Sequence, residues 1–195
     1  MSREKKYTAF ILKKQAFGEA DEIVTLFTED LGKIRAMAKS SKIAKSKLQH
    51  ALQPMFLCAV TVAGQSQLPK IIHAEVLNHF AVVRSNSKMV EVWFGMAELL
   101  LKATPDGQKN LALFQIVTEC LNFLNSDNQP ESVIALADLK FKLKACQSLG
   151  FGMQIPELSK DLVFNPDRGF CSSQESPIGI VVSPELVFLA KNLVG

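Results

Sequence analysis

Asp21-Glu22-Ile23-Val24-Thr25-Leu26-Phe27-Thr28-Glu29-Asp30-Leu31-Gly32-Lys33 reads as a strand running into a tight turn. Ile23, Thr25 and Phe27 oppose Val24 and Leu26, a period of two in β-branched and aromatic residues. Glu29-Asp30-Leu31-Gly32 then forms a hairpin turn, because Gly32 can take the positive φ that closes a short loop. Lys33 to Lys39 is the returning strand. Working outward, Tyr7 to Lys14 alternates too, with Thr8, Phe10 and Leu12 on one side and Ala9 and Ile11 on the other. Met55 to Ala63 and Lys70 to Leu77 add two strands joined through Gly64 to Pro69. Five short strands with no long helix between them predict a small closed barrel of the OB type over residues 1–80. A five-stranded open sheet fits the same pattern.

Beyond residue 81 the period lengthens. Lys88 to Ala103, with Val92, Met96, Leu99 and Leu100, predicts a helix ended by Thr104-Pro105-Asp106-Gly107. Leu111 to Asn125 predicts a second, with Leu113, Val117, Cys120, Leu121 and Leu124 at helical spacing. A third starts at Pro130 and carries Val133, Leu136, Leu139, Leu143 and Cys146 to a Gly150 stop. Residues 81–195 are therefore expected to be an α-helical domain. It includes a small hairpin insertion around Asn165-Pro166-Asp167-Arg168-Gly169 and a last helix from Ser183 and Pro184. The fold class is α+β.

The 195 residues suffice for one large domain or two small ones with real cores. No window approaches the roughly 18 unbroken apolar residues of a membrane span. The charged start, Met1 to Lys6, leads into no signal-like segment, so a cytoplasmic protein is expected. Cys58, Cys120, Cys146 and Cys171 lie far apart without a C-x-x-C pair. They are read as reduced thiols, with no metal and no cofactor. The net charge of +3 is uneven: residues 1–80 hold twelve Lys/Arg against seven Asp/Glu, and residues 81–195 hold ten against twelve. The N-terminal excess suits a polyanionic partner.

Lys33, Arg35, Lys39, Lys42, Lys45 and Lys47 form a run without one acid, with Ser40, Ser41 and Ser46 among the later lysines. Long cationic side chains reach phosphates and serine hydroxyls add hydrogen bonds, so these six are the candidate nucleic-acid contacts. A solvated loop that only maintains solubility explains the charges equally well. Phe17, in the turn Ala16-Phe17-Gly18, is a candidate for base stacking, although a strand-corner packing role fits it better. Tyr7 and Phe56 are read as packing residues. His73 and His79 stand about 20 Å apart along a regular strand, too far for one ion. No nucleophile elbow and no glycine-rich phosphate loop occurs. Asp21, Glu22, Glu29 and Asp30 are read as solvated turn residues. No catalytic role is expected.

Ile11-Leu12-Lys13, Phe17-Gly18-Glu19, Asp21 to Thr28 and Gly32-Lys33 closely resemble the N-terminal signature of the bacterial RecO family. The resemblance runs on through the basic Lys39 to Lys47 loop into Ala51-Leu52-Gln53-Pro54 and, more loosely, through Leu68-Pro69 to Ala74-Glu75. Phe141-Lys142-Leu143 to Leu149-Gly150-Phe151 resembles the family's helix-to-turn step. The resemblance implies an OB-fold, a helical domain and a hairpin that in many members carries zinc on four cysteines. It also implies a non-enzymatic recombination mediator that binds single-stranded DNA, and double-stranded DNA as well. Such a mediator anneals complementary strands, pairs with RecR, binds the C-terminal tail of single-strand binding protein and helps load RecA. Two departures stand out. Gly152-Met153-Gln154-Ile155-Pro156-Glu157 replaces the expected C-x-x-C, so the region about 151–182 is a degenerate zinc hairpin with only Cys171 left. The chain also stops soon after Ser183-Pro184. Lys140 and Lys144, one helical turn apart beside Leu136, Leu139 and Leu143, are the candidate site for the acidic tail. A solvated basic face is the bland reading of that pair. The rival function is a protein-interaction adaptor whose nucleic-acid binding is incidental.

Overall fold

The structure, a computed structural model, describes residues 4–43, 46–64, 66–151, 162–165, 169–172, 174 and 180–181. Its first elements are β1 (Glu4–Phe17), β2 (Asp21–Thr28), β3 (Gly32–Ala38), α1 (Lys47–Ala51), β4 (Leu57–Ala63) and β5 (Lys70–Asn78). The strands close into a barrel in the order β1-β2-β3-β5-β4, with β4 returning to β1. The open sheet is thereby excluded. All pairs are antiparallel except β3 with β5, which meet only at Met37 opposite Lys70 and Ala38 opposite Ile71. Tyr7, Ala9, Ile11, Val24, Leu26, Ala36, Ala38, Cys58, Val60 and Val62 fill the interior. The helix α1 was not expected. It begins at Lys47, the last residue of the stretch read as a basic loop, and it brings Leu48, and Leu52 just after it, to that core.

The register between β1 and β2 jumps between Ile11 opposite Leu26 and Lys13 opposite Thr25, making Leu12 a bulge. A bulge inserts one residue and so reverses which face the following side chains take. Ile11 points into the barrel, and Lys13 comes to lie on the outer face. The simple alternation expected from Tyr7 to Lys14 breaks at this residue.

The outer side of β1 is buried at Phe10. The chain continues through α2 (Ala81–Ser85), α3 (Ser87–Ala103) and α4 (Leu111–Ser126). Phe10 has its ring centroid 5.2 Å from Phe114, 6.0 Å from Trp93 and 6.2 Å from Phe80, and Phe27 also meets Phe114. These offset and tilted rings give the helical layer its seat on the barrel wall. Asn86 caps α3 by accepting from the Lys88 and Met89 N–H groups, and Asn110 caps α4 by accepting from Leu113. The five-residue α2 falls in a stretch for which the sequence predicts no element.

The chain divides into two compact units, Met1–Asp138 and Leu139–Gly195. The helix α5 (Glu131–Ser148) runs from the first into the second. Its buried residues are Ile134, Ala137, Phe141 and Ala145, while Leu136 and Leu139 are exposed. The expected stripe of Val133, Leu136, Leu139, Leu143 and Cys146 is therefore corrected. Apolar residues surround this helix on all sides, so periodicity could not choose a face. The second unit also holds a sheet in the order β7-β6-β8, made of β6 (Leu162–Asn165), β7 (Gly169–Ser172) and β8 (Ile180–Val181). Asn165 lies opposite Gly169, as the expected hairpin requires. Lys45, the Gly152-to-Glu157 segment and the helix expected from Ser183 lie outside the described residues.

Candidate nucleic-acid interface

Three strands present their outer side chains in rows. Phe10, Phe27 and Lys33 share the row covered by helices; Lys13, Thr25 and Arg35 share the next; Gln15, Ile23 and Met37 share the one after. Val24, Leu26, Ala36 and Ala38 all point inward, so Thr25, Arg35 and Met37 must point out. Lys13 and Arg35 are exposed on either side of Thr25. The open face of β1–β2–β3 thus carries a cation on each outer strand and ends at Phe17, which is 48% exposed. Lys13 was missed as a candidate because only the bulge at Leu12 sends it outward.

The basic segment after β3 is held in place by residues that read as solvated in the sequence. The Ser40 N–H donates to Asp21 Oδ1 at 2.7 Å, and the Ser41 hydroxyl donates to Glu22 Oε2 at 2.7 Å. Lys14 Nζ stands 3.1 Å from the same Glu22 oxygen. The Lys42 N–H donates to the Ala20 carbonyl at 3.0 Å, and its Nζ donates to the Gly18 carbonyl at 2.8 Å. Asp21 and Glu22 therefore tie this segment to the β1–β2 turn and are structural anchors. Ser40 takes φ +53°, and Ser41 is fully buried. These bonds bring Lys42 to Gly18, next to Phe17 in the chain. An ammonium has three donors, so Lys42 keeps capacity for an anion.

The six basic candidates do not share one environment. Lys39 and Lys47 are exposed, the latter opening α1. Arg35 has its side chain 63% exposed, with Nε 3.8 Å from Asp106. Lys33 is different: its side chain is 11% exposed, its Nζ donates to the Leu101 carbonyl at 2.7 Å and lies 3.5 Å from Asp106. Phe27 stands opposite Lys33 on the neighbouring strand, so the Lys33 stem enters the helix-covered row. Its ammonium ties β3 to the end of α3.

Cys58 is buried, its thiol donates to the Ala51 carbonyl, and burial pushes its pKa up to about 12. A thiol held protonated is neither a nucleophile nor a metal ligand. Among the described residues no group of three His, Cys, Asp or Glu is arranged to hold a metal, and no helix is long and apolar enough to cross a membrane. On α5, Lys140 is exposed and Lys144 half-buried, with Leu139 exposed beside them.

Comparison with known proteins matches residues 1–80 to the family model described as Recombination protein O N terminal, and residues 94–163 to Recombination protein O C terminal. The chain is similar to the DNA repair protein RecO of Dehalococcoides mccartyi strain CBDB1, with 30% identity over 152 residues. That match covers 78% of this chain and 58% of the relative, which is less than two thirds of its length. The RecO of Thermodesulfovibrio yellowstonii is 27% identical over 202 residues, covering 95% and 78% of the two chains. That of Listeria monocytogenes serotype 4b is 25% identical over 176 residues, covering 90% and 66%.

Proposed function

Because the chain belongs to the RecO family of recombination and DNA repair proteins, we propose that it is a non-enzymatic repair mediator that binds single-stranded DNA on its barrel. In this reading residues 1–80 are the nucleic-acid-binding module and residues 81–195 the helical one. The protein anneals complementary strands and helps load a recombinase, in the cytoplasm and without a cofactor. Its partners are single-stranded DNA, double-stranded DNA and a RecR-like protein.

One observation carries the proposal: Asp21 and Glu22 fasten the basic segment beside Phe17, at the end of the sheet face that bears Lys13 and Arg35. A solubility loop needs no such anchoring. Fixed cations and an exposed ring form the electrostatic track and stacking platform that single strands use. The contacts assigned to phosphate are Lys13, Arg35, Lys39, Lys42, Lys45 and Lys47, with Phe17 stacking; Lys33 acts mainly by positioning β3. Phosphate contacts carry no base information, so binding is indifferent to sequence. The test is single-stranded DNA affinity across salt. A negative slope near −3 is expected for about four phosphate contacts, at roughly −0.7 each; a flat dependence removes the proposal.

A second reading, an adaptor for protein partners, is favoured by α5, where Leu139 is exposed beside the exposed Lys140 and the half-buried Lys144. An acidic, aromatic-ended peptide such as the tail of single-strand binding protein suits this face, with the ammonium groups on its carboxylates and the leucine on its ring. Lys140→Glu with Lys144→Glu should abolish binding of that peptide; unchanged affinity would move the site elsewhere.

A further inference from the structure

The start of β3 and the end of β4 border a common cleft. It has a volume of about 650 Å³ and is lined among others by Lys5, Tyr7, Lys33, Arg35 and Asp106. We propose that this cleft is a pocket for one phosphorylated nucleotide, whose phosphate takes over the cations that Asp106 now neutralises. The inference rests on the nucleic-acid reading above and gives that reading a second, separate site.

Size and charge both select the ligand. Small-molecule sites commonly span roughly 300–1,000 Å³, which admits a nucleotide and excludes a duplex. Three cations face a single carboxylate. That carboxylate is 3.5 Å from Lys33 Nζ and 3.8 Å from Arg35 Nε, and more than half exposed. Contacts this long, made by a carboxylate that is itself more than half exposed, are weak and readily exchanged for a phosphate, which an arginine fork can grip through two oxygens. The Asp106 backbone stays put, because the neighbouring Gly107 N–H donates to the Lys33 carbonyl at 2.7 Å. Only a side chain has to turn.

The rest of the cleft suits a sugar and base. Tyr7 is largely buried and lines the cleft. Burial, with the Asp30 carboxylate adding to it, holds its hydroxyl above its ordinary pKa, so it stays a protonated donor. Ile34 and Val62 supply apolar wall. Arg35 belongs both to the outer row with Lys13 and Thr25 and to the cleft. A strand lying on the open face is thereby led toward the pocket, which favours a nucleotide over an acidic peptide.

The experiment is titration calorimetry of the full chain at low salt with dAMP, with deoxyadenosine, and with short oligothymidylates bearing or lacking a 5′-phosphate. Binding of dAMP without detectable binding of deoxyadenosine is expected. Lys5→Ala with Arg35→Ala, both exposed positions, should weaken dAMP by about tenfold or more. Lys88→Ala with Lys102→Ala, an equal loss of surface charge elsewhere, should leave it alone. Asp106→Asn should tighten dAMP, since it removes the competing anion. A gain of about tenfold from the 5′-phosphate on an oligonucleotide identifies a strand end as the source; no gain, with dAMP still bound, identifies a free nucleotide. Equal binding of dAMP and deoxyadenosine, or binding of neither while long single strands still bind, overturns the pocket and spares the proposed function. An acidic peptide that fills the cleft when dAMP does not would overturn it too. Binding of dAMP with no affinity for long strands upholds the pocket and removes the proposed function.

Discussion

A Cβ atom at Gly32 would stand 1.9 Å from the Gln108 carbonyl oxygen. The β2–β3 turn and the α3–α4 loop therefore meet backbone to backbone, and only glycine allows the approach. The contact is reinforced next door, where Gly107 donates to Lys33 and the Lys33 ammonium reaches Leu101. Barrel and helices are locked together at the strand that carries Arg35.

Gly32→Ala should therefore be severe. The residue has φ +65°, which costs an alanine about 1–2 kcal/mol by itself, and the clash with a carbonyl comes on top. Gly18 has the same φ of +65° but nothing within 4 Å of an added Cβ. Gly18→Ala should lose only the conformational part, about 1–2 kcal/mol. Urea midpoints of the two variants measure the difference. Equal losses would mean that the α3–α4 loop yields without penalty.

Phe10→Ala should cost about 3–5 kcal/mol, the usual range for truncating a buried aromatic. Phe10 is fully buried among Phe80, Trp93 and Phe114. Because the ring bridges the two layers, near-ultraviolet dichroism from Trp93 should fall in the variant while the barrel's far-ultraviolet signal persists. Loss of both signals together would show that the barrel does not hold without its helical cover.

The Gly32 turn and the barrel strands were legible because each depends on short-range chemistry: one residue free at positive φ, and a period of two. Features that depend on a distant partner were not. Phe10 obeys strand parity, but parity cannot say that Trp93 and Phe114 will cover the outer face. The bulge at Leu12 exists only in the register with β2, so Lys13 could not be placed. Asp21 and Glu22 read as solvent-facing turn residues because their partners, Ser40 and Ser41, lie 19 positions away. Lys33 resembles its neighbours in the basic run, and only the fold brings its ammonium to Leu101.

Asp21→Ala should loosen the basic segment without unfolding the barrel. It removes the acceptor of the Ser40 N–H, at a surface position where such bonds contribute about 0.5–1.5 kcal/mol. Amide exchange at Ser40 should quicken, and trypsin should cut sooner after Lys39 or Lys42. Unchanged cleavage would leave Glu22 and the Lys42–Gly18 bond as sufficient anchors.

Cys58 makes stability depend on alkaline pH. Its thiol is pushed up to about 12 in the folded chain, against about 8.5 when unfolded. Above pH 8.5 the unfolded state therefore loses its proton first, and the folded state weakens as pH rises toward 12. The decline from this group alone is about 2 kcal/mol between pH 8.5 and 10. Cys58→Ser keeps a donor for the Ala51 carbonyl but does not titrate there. Urea midpoints against pH should fall less steeply in the serine variant; parallel curves would assign the decline to other groups.

Cations that position and cations that bind should separate on mutation. Lys33→Ala removes a largely buried ammonium that donates to the Leu101 carbonyl. A bond of this charge-assisted kind is worth about 1.5–3 kcal/mol, so the variant should lose stability of that order. Its single-strand salt slope should stay close to wild type. Lys39→Ala, Lys42→Ala and Lys47→Ala combined should do the reverse. None of the three is buried, and surface changes away from caps and cores usually stay within about 0.5 kcal/mol. The slope should nevertheless flatten by about 2, at roughly 0.7 for each phosphate that no longer meets a lysine. Affinity should fall alike for unrelated sequences, because these lysines address the DNA backbone rather than its bases. Adding Lys13→Ala should flatten the slope further by about 0.7 if the bulge at Leu12 has placed that side chain on the same track. The measurement is the affinity for one oligonucleotide at four or five salt concentrations, with urea melts run in parallel. A folded triple variant with the wild-type slope would assign these lysines to solubility, and a Lys33→Ala variant that stays stable but loses slope would return Lys33 to the phosphate-binding set.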